Sequence, residues 1–220
     1  MFRNIFNLQT LTAFIFILIL SKPISSQVPS PPIPIELMAG NQDLYFQMVV
    51  KKSFKPQSAF QFFGLSTYTS AIKDLQSTDL ISIGQLSYTL SKGFGAFVGA
   101  DVNSFSGLSI IAGPQHNFAN AKWLAITTTS FFLNDDADIK FFGLYEFKPK
   151  ITEQIGLYTR IQSIYNFSLE NNGHNVSYIY LRAGIKVKSM IFGAAVNLNW
   201  SGPNKLFQEN YGLFVRYELK

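Results

Sequence analysis

From Leu44 to Leu219 the chain repeats one pattern: segments of about ten to fourteen residues in which apolar side chains alternate with small or polar ones. Leu86, Tyr88 and Leu90 share one face. After a short Ser-Lys-Gly turn, Phe94, Ala96, Val98, Ala100 and Val102 share another, with Ser87, Thr89, Gly95, Gly99 and Asp101 between them. Period two is the signature of a strand with unlike faces. It recurs over Leu44 to Lys51, Ala59 to Thr69, Leu80 to Leu90, Phe94 to Phe105, Leu108 to Asn117 and Trp123 to Leu133. It continues over Ile139 to Lys148, Ile155 to Ser168, Val176 to Val187, Met190 to Trp200 and Tyr211 to Leu219. The segments at 108–117 and 123–133 alternate least cleanly.

The pattern raises the question of what covers the apolar faces. Only 14% of the 220 residues are charged, against 47% apolar, with 22 Phe and 10 Tyr; soluble domains carry roughly 25% charge. A soluble sandwich or lipocalin-like barrel would turn the apolar set inward and the polar set to water. A surface of Gly95, Phe97, Gly99, Asp101 and Asn103 suits water poorly. Lipid resolves the conflict. Ten residues at about 3.3 Å each, tilted by roughly 40°, cover the ~25 Å apolar band of an outer membrane. In lipid an open sheet edge leaves backbone groups unpaired, so the sheet must close. The expected fold is all-β: a closed antiparallel up-and-down transmembrane β-barrel. Eleven segments is an odd number, so a short first strand near Ile35 to Gly40 is expected to bring the total to twelve; ten is the alternative, with one hairpin fewer.

Residues 1–26 combine Arg3, the apolar run "LTAFIFILIL" (11–20) and a small-residue end, the order of a secretory signal peptide. Residues 27–40 carry the prolines of "VPSPPIP" and read as an extended lead-in, with 41–220 as the barrel. Residues 1–26 hold Arg3 and Lys22 and no acid, so the formal +5 falls to +3 beyond them. That charge shows no basic cluster suited to nucleic acid. With no cysteine, disulfides and thiolate metal sites are excluded.

With its signal peptide, its alternating strands and its terminal "YGLFVRYELK", the chain resembles small outer-membrane β-barrel proteins of Gram-negative bacteria, and Gln27 after Ser26 resembles exported proteins of Bacteroidetes-type bacteria. The resemblance is architectural and covers about residues 41–220. It implies residence in the outer membrane, contact with its lipid, and insertion by the barrel insertion machinery, which usually reads a terminal aromatic; here Lys220 is last, after Tyr217 and Leu219. If the last strand ends in the periplasm, outer loops fall near 70–79, 103–107, 134–138, 169–175 and 201–209. Asp74, Asp79, Asp135, Asp136, Asp138, Glu170 and Glu209 then lie outside. Lys51, Lys52, Lys55, Lys92, Lys122, Lys148, Lys150 and Lys188 lie on the periplasmic side, with Lys73, Lys205 and Glu153 as exceptions.

Extending the alternation places Asp101, Glu146, Arg160, Arg182, Lys186, Arg216 and Glu218 on the lumen face, where both signs can pair across a narrow barrel. Asp101, Glu146 and Glu218 are the acids available to the arginines. Leu181 then faces lipid, so Leu181→Arg is expected to harm folding more than Arg182→Gln. Catalysis needs a nucleophile with a base in reach. Lipid-modifying barrels hold a His and a Ser close together on a strand, and no His-x-Ser occurs here. His116 and His174 read as solvated or rim residues. "NDDAD" (134–138) lacks the closing Glu of an EF-hand loop and reads as an acidic hairpin tip. No catalytic, metal or cofactor site is expected. The leading expectation is a barrel with a largely filled polar lumen and a structural or surface-interaction role. A narrow pore for ions or small solutes is the alternative, and a lipid-modifying enzyme stands behind both.

Overall fold

In the computed structural model the described residues are 31–219, apart from 56, 57, 105, 135, 136 and 171. The segment 1–26, expected to be a signal peptide, lies outside them. Twelve strands follow in chain order: β1 (Ile33–Gly40), β2 (Asp43–Ser53), β3 (Phe60–Ala71), β4 (Asp74–Ser91), β5 (Phe94–Asn103), β6 (Gly107–Ala119), β7 (Trp123–Phe132), β8 (Asp138–Phe147), β9 (Ile155–Ser168), β10 (Gly173–Val187), β11 (Met190–Ser201) and β12 (Leu206–Leu219). Each strand pairs with its sequence neighbours, and β1 pairs antiparallel with β12 to close the barrel.

The closing strand is the short first strand expected near Ile35 to Gly40, and it starts two residues earlier, at Ile33, within the proline-rich lead-in. Its proline explains how this is tolerated. Pro34 pairs only on the β12 side, opposite Glu218, and the β2 ladder starts one residue later at Ile35↔Met48. A residue with no N–H fits at the first positions of a strand.

The apolar faces that include Leu86, Tyr88, Phe94, Val98, Phe192 and Leu213 point outward and are about half exposed or more. Barrel closure leaves them to be covered from outside. On β6 and β7, where the sequence pattern was weakest, Ser109, Ile111, Gln115, Ile126, Thr128 and Phe132 face inward. Apolar residues inside and threonines outside blur the alternation there. Pro114 has no N–H to give, and the pairs Ala112↔Phe131 and Gln115↔Thr128 flank it.

Four of the five loops expected at the end away from the termini are shorter than expected. The β3–β4 ladder runs on to Ala71↔Asp74, so the loop expected at 70–79 reduces to Ile72 and Lys73. Likewise β12 starts at Leu206 instead of Tyr211. Backbone pairing continues past the apolar band, where hydropathy no longer has to alternate. At the terminal end Lys92 (φ 49°) and Gly93 (φ 84°) make the two-residue β4–β5 turn. Positive φ at both positions matches the strand twist.

Candidate functional site

Two kinds of side chain point into the lumen. Tyr45, Phe63, Phe97, Phe142, Tyr158, Tyr178, Tyr180 and Phe214 all lie buried inside it. Opposite walls touch: Tyr45 on β2 meets Tyr180 on β10 edge-on at 5.3 Å, and Phe63 on β3 lies 6.1 Å from Phe142 on β8.

The charged residues are interleaved with the rings. Asp101 on β5, Glu146 on β8, Arg160 on β9, Arg182 on β10 and Arg216 and Glu218 on β12 are buried, and Lys186 on β10 is partly exposed. Glu146, Arg160 and Arg182 occupy one row across β8, β9 and β10. That register sets two guanidiniums side by side, and like charges in neighbouring positions need an acid to hold them. The acid comes from β1. Arg160 Nη2 and Arg182 Nε both donate to Glu36 Oε1, at 2.7 and 2.8 Å. Since β11 and β12 separate β1 from β10, the two contacts cross the lumen.

Glu146 collects a second group. Arg216 Nη1 lies 2.7 Å from its Oε1, Tyr158 donates to the same oxygen at 2.9 Å, and Lys148 donates to Oε2 at 2.9 Å. Arg216 also lies over the Tyr158 ring. Nearer the loop end Asp101 pairs with Lys140, and at the terminal end Glu218 pairs with Lys186.

Glu36, Lys140 and Lys148 were missed by the sequence reading. Glu36 was discoverable: in "IPIELMAG" Ile35, Leu37 and Ala39 alternate with Glu36, Met38 and Gly40. The prolines just before it masked the pattern. In these pairs six cations face four acids, leaving two positive charges in surplus. Arg160 Nε and Nη1, Arg182 Nη2 and Arg216 Nε are buried without a hydrogen-bond partner among the described residues.

Two cavities open at the ends of the barrel. One, of about 300 Å³, opens at the terminal end beside Pro31, Lys51, Trp123 and Lys148. The other, of about 380 Å³, opens at the loop end beside Asn103, Lys140, Asn166 and Tyr178.

Both histidines lie on the barrel wall, within strands. His116 on β6 packs its ring against Phe94. His174, read as a solvated rim residue, is buried instead, with Nδ1 2.8 Å from Gly202 O and Nε2 2.9 Å from Ser177 Oγ. Of the acidic tip, Asp135 and Asp136 lie outside the described residues, and Asp138 accepts from Asn175 at 2.9 Å. Among the described residues no group of three or more His, Cys, Asp or Glu could hold a metal ion.

No protein-family model and no curated protein matches the chain. Solved structures do. A structure of the NanC porin matches with a TM-score of 0.51 at 10% identity, covering 86% of this chain and 100% of that one. The KdgM porin matches with a TM-score of 0.49 at 9% identity, covering 86% and 99%. At such identities the likeness is one of fold: the chain is a closed antiparallel twelve-stranded β-barrel that resembles outer-membrane porins.

Proposed function

We propose that the chain is an integral outer-membrane barrel, exported by a signal peptide over residues 1–26, whose lumen is closed at mid-height and whose role is structural or surface-interacting. The observation that carries this reading is the layer of Glu36, Arg160 and Arg182 with Tyr45 and Tyr180, in which all three charged side chains are 1% exposed or less. Groups so dry do not line a conducting path. The outward apolar faces support the membrane assignment, since a closed barrel offers them no protein partner. By that reading the turns opposite the termini face outward and the lysine-rich turns face the periplasm.

Planar-bilayer recording tests the closed lumen. The wild-type barrel is expected to give no steady ohmic openings, and steady openings would overturn the reading. Membrane fractionation tests the location, since recovery as a soluble monomer without detergent would end it. A narrow pore is the second reading. It is favoured by the cavities at both ends, which leave a thin side-chain layer as the whole barrier.

A further inference from the structure

The geometry points to a serine nucleophile on the outer wall of the barrel: we propose that Ser177 and His174 form a nucleophile–base pair that cleaves O-acyl esters of membrane lipids. This goes beyond the closed-lumen reading and is independent of it, because the pair sits outside the lumen.

Residues three apart on a regular strand point to opposite faces. Here they do not, because β10 carries a bulge. Its register with β9 passes from His174↔Phe167 directly to Val176↔Asn166, leaving Asn175 without a partner. One extra residue reverses the facing of everything before it. His174 is thereby brought to the same side as Ser177, and its ring lies 5.5 Å from Tyr165, an outward residue 42% exposed.

For the neutral imidazole the tautomer follows from its partners. Gly202 O is a carbonyl and can only accept, so Nδ1 must carry the proton at 2.8 Å. Nε2 then presents its lone pair, and the Ser177 hydroxyl donates to it at 2.9 Å. That is the arrangement a serine nucleophile requires: a base in contact, its tautomer fixed by a third group. The third group here is a backbone carbonyl, which orients the ring without adding charge.

The surroundings indicate the substrate. Ser177 lies in register between Tyr165 on β9 and Trp200 on β11, two aromatics near the loop end of the barrel. Tyr and Trp on the outer wall mark the level of the membrane–water interface, and lipid ester groups lie at that level. A groove of about 390 Å³ reaches Ser177 along this wall. The Tyr145 ring covers Gly143 and its hydroxyl lies 2.9 Å from Thr127 Oγ1, so the groove is open over Ser163 and Ser177, beside Phe141 and Tyr165.

In the reaction Ser177 Oγ bonds to the ester carbonyl carbon while its proton passes to His174 Nε2. The carbon–alkoxy bond then breaks, and the departing alkoxide takes that proton, leaving an acyl-serine. Water attacks the acyl-serine, gives a proton to Nε2, and releases the fatty acid as the proton returns to Ser177 Oγ. Water is the co-reactant, and no oxidant or metal is needed.

The test uses the full-length barrel in mixed micelles, in two arms: phosphatidylethanolamine, and lipopolysaccharide. Fatty-acid release is measured by mass spectrometry, and a fluorophosphonate probe is mapped to its residue. The proposal expects release in at least one arm, which identifies the lipid source, and an adduct on Ser177. Ser177→Ala is expected to abolish both. His174→Gln, which keeps hydrogen-bonding capacity without a base of suitable strength, is expected to lower release by about 10²–10⁴-fold. Heat-modifiable migration verifies that both variants fold. No release in either arm, or release that survives Ser177→Ala, would overturn the proposal.

Discussion

Replacing Glu36 with Gln removes one negative charge and almost no volume, so it isolates what the β1 carboxylate does. Glu36 is 1% exposed and is the acid paired with both Arg160 and Arg182, whose side chains are fully buried. Gln keeps an acceptor oxygen within reach but leaves two guanidiniums adjacent and uncompensated. Breaking a buried ion pair by removing one partner costs about 3–5 kcal/mol. At 1.4 kcal/mol per factor of ten, the folding equilibrium shifts by roughly two to three and a half orders of magnitude. The readout is a urea titration in lipid vesicles, with the folded fraction taken from heat-modifiable migration. Replacing Glu36, Arg160 and Arg182 together by Met is expected to recover most of the loss, because an apolar layer of similar volume needs no pairing. A cost for Glu36→Gln below about 0.5 kcal/mol would refute the reasoning. It would mean that water screens the arginines, and therefore that the lumen is wet at mid-height.

Arg182 also donates to Leu181 O, Val196 O and Asn197 Oδ1, at 2.9, 3.3 and 2.8 Å. Arg182→Gln leaves Glu36 paired with Arg160 and removes one of the surplus positive charges, so its expected cost is that of the lost hydrogen bonds, about 1–3 kcal/mol, against about 2–4 kcal/mol for Leu181→Arg on the lipid face. The same urea titration compares the two. At the closing seam a Cβ on Gly212 would lie 2.0 Å from Ala39 O, whereas one on Gly84 would meet nothing nearer than 4.0 Å. Gly212→Val is expected to deplete the fast-migrating folded band, and Gly84→Ala to leave it unchanged; equal behaviour would show that the seam tolerates a side chain there.

The barrel was legible because lipid imposes a rule that the sequence must obey over every span. One face of each strand is apolar, and that shows in Met190, Phe192 and Ala194 against Ile191, Gly193 and Ala195 even though the inner set is also apolar. Where lipid imposes no rule the signal faded. The upper parts of β3, β4 and β12 pair beyond the apolar band, and their polar residues read as loops. Parity excluded eleven strands and left twelve and ten, because an odd count cannot close a sheet of consecutive antiparallel hairpins with both termini at one end.

The lumen charges show where legibility stops. Alternation assigns Arg160, Arg182 and Arg216 to a face, but a face is a local property and a partner is not. Glu36 is separated from Arg160 by 124 residues and from Arg182 by 146. Their meeting depends on β1 closing against β12 and on the barrel being narrow enough for side chains to cross it. The Ser177–His174 contact fails to show for the opposite reason. Its residues are three apart, yet strict alternation places them on opposite faces, and a single unpaired residue at Asn175 reverses that assignment. Period-two reasoning is thus strongest along unbroken ladders and weakest at bulges. Bulges are common beside functional sites because they re-aim a side chain that the ladder would otherwise fix.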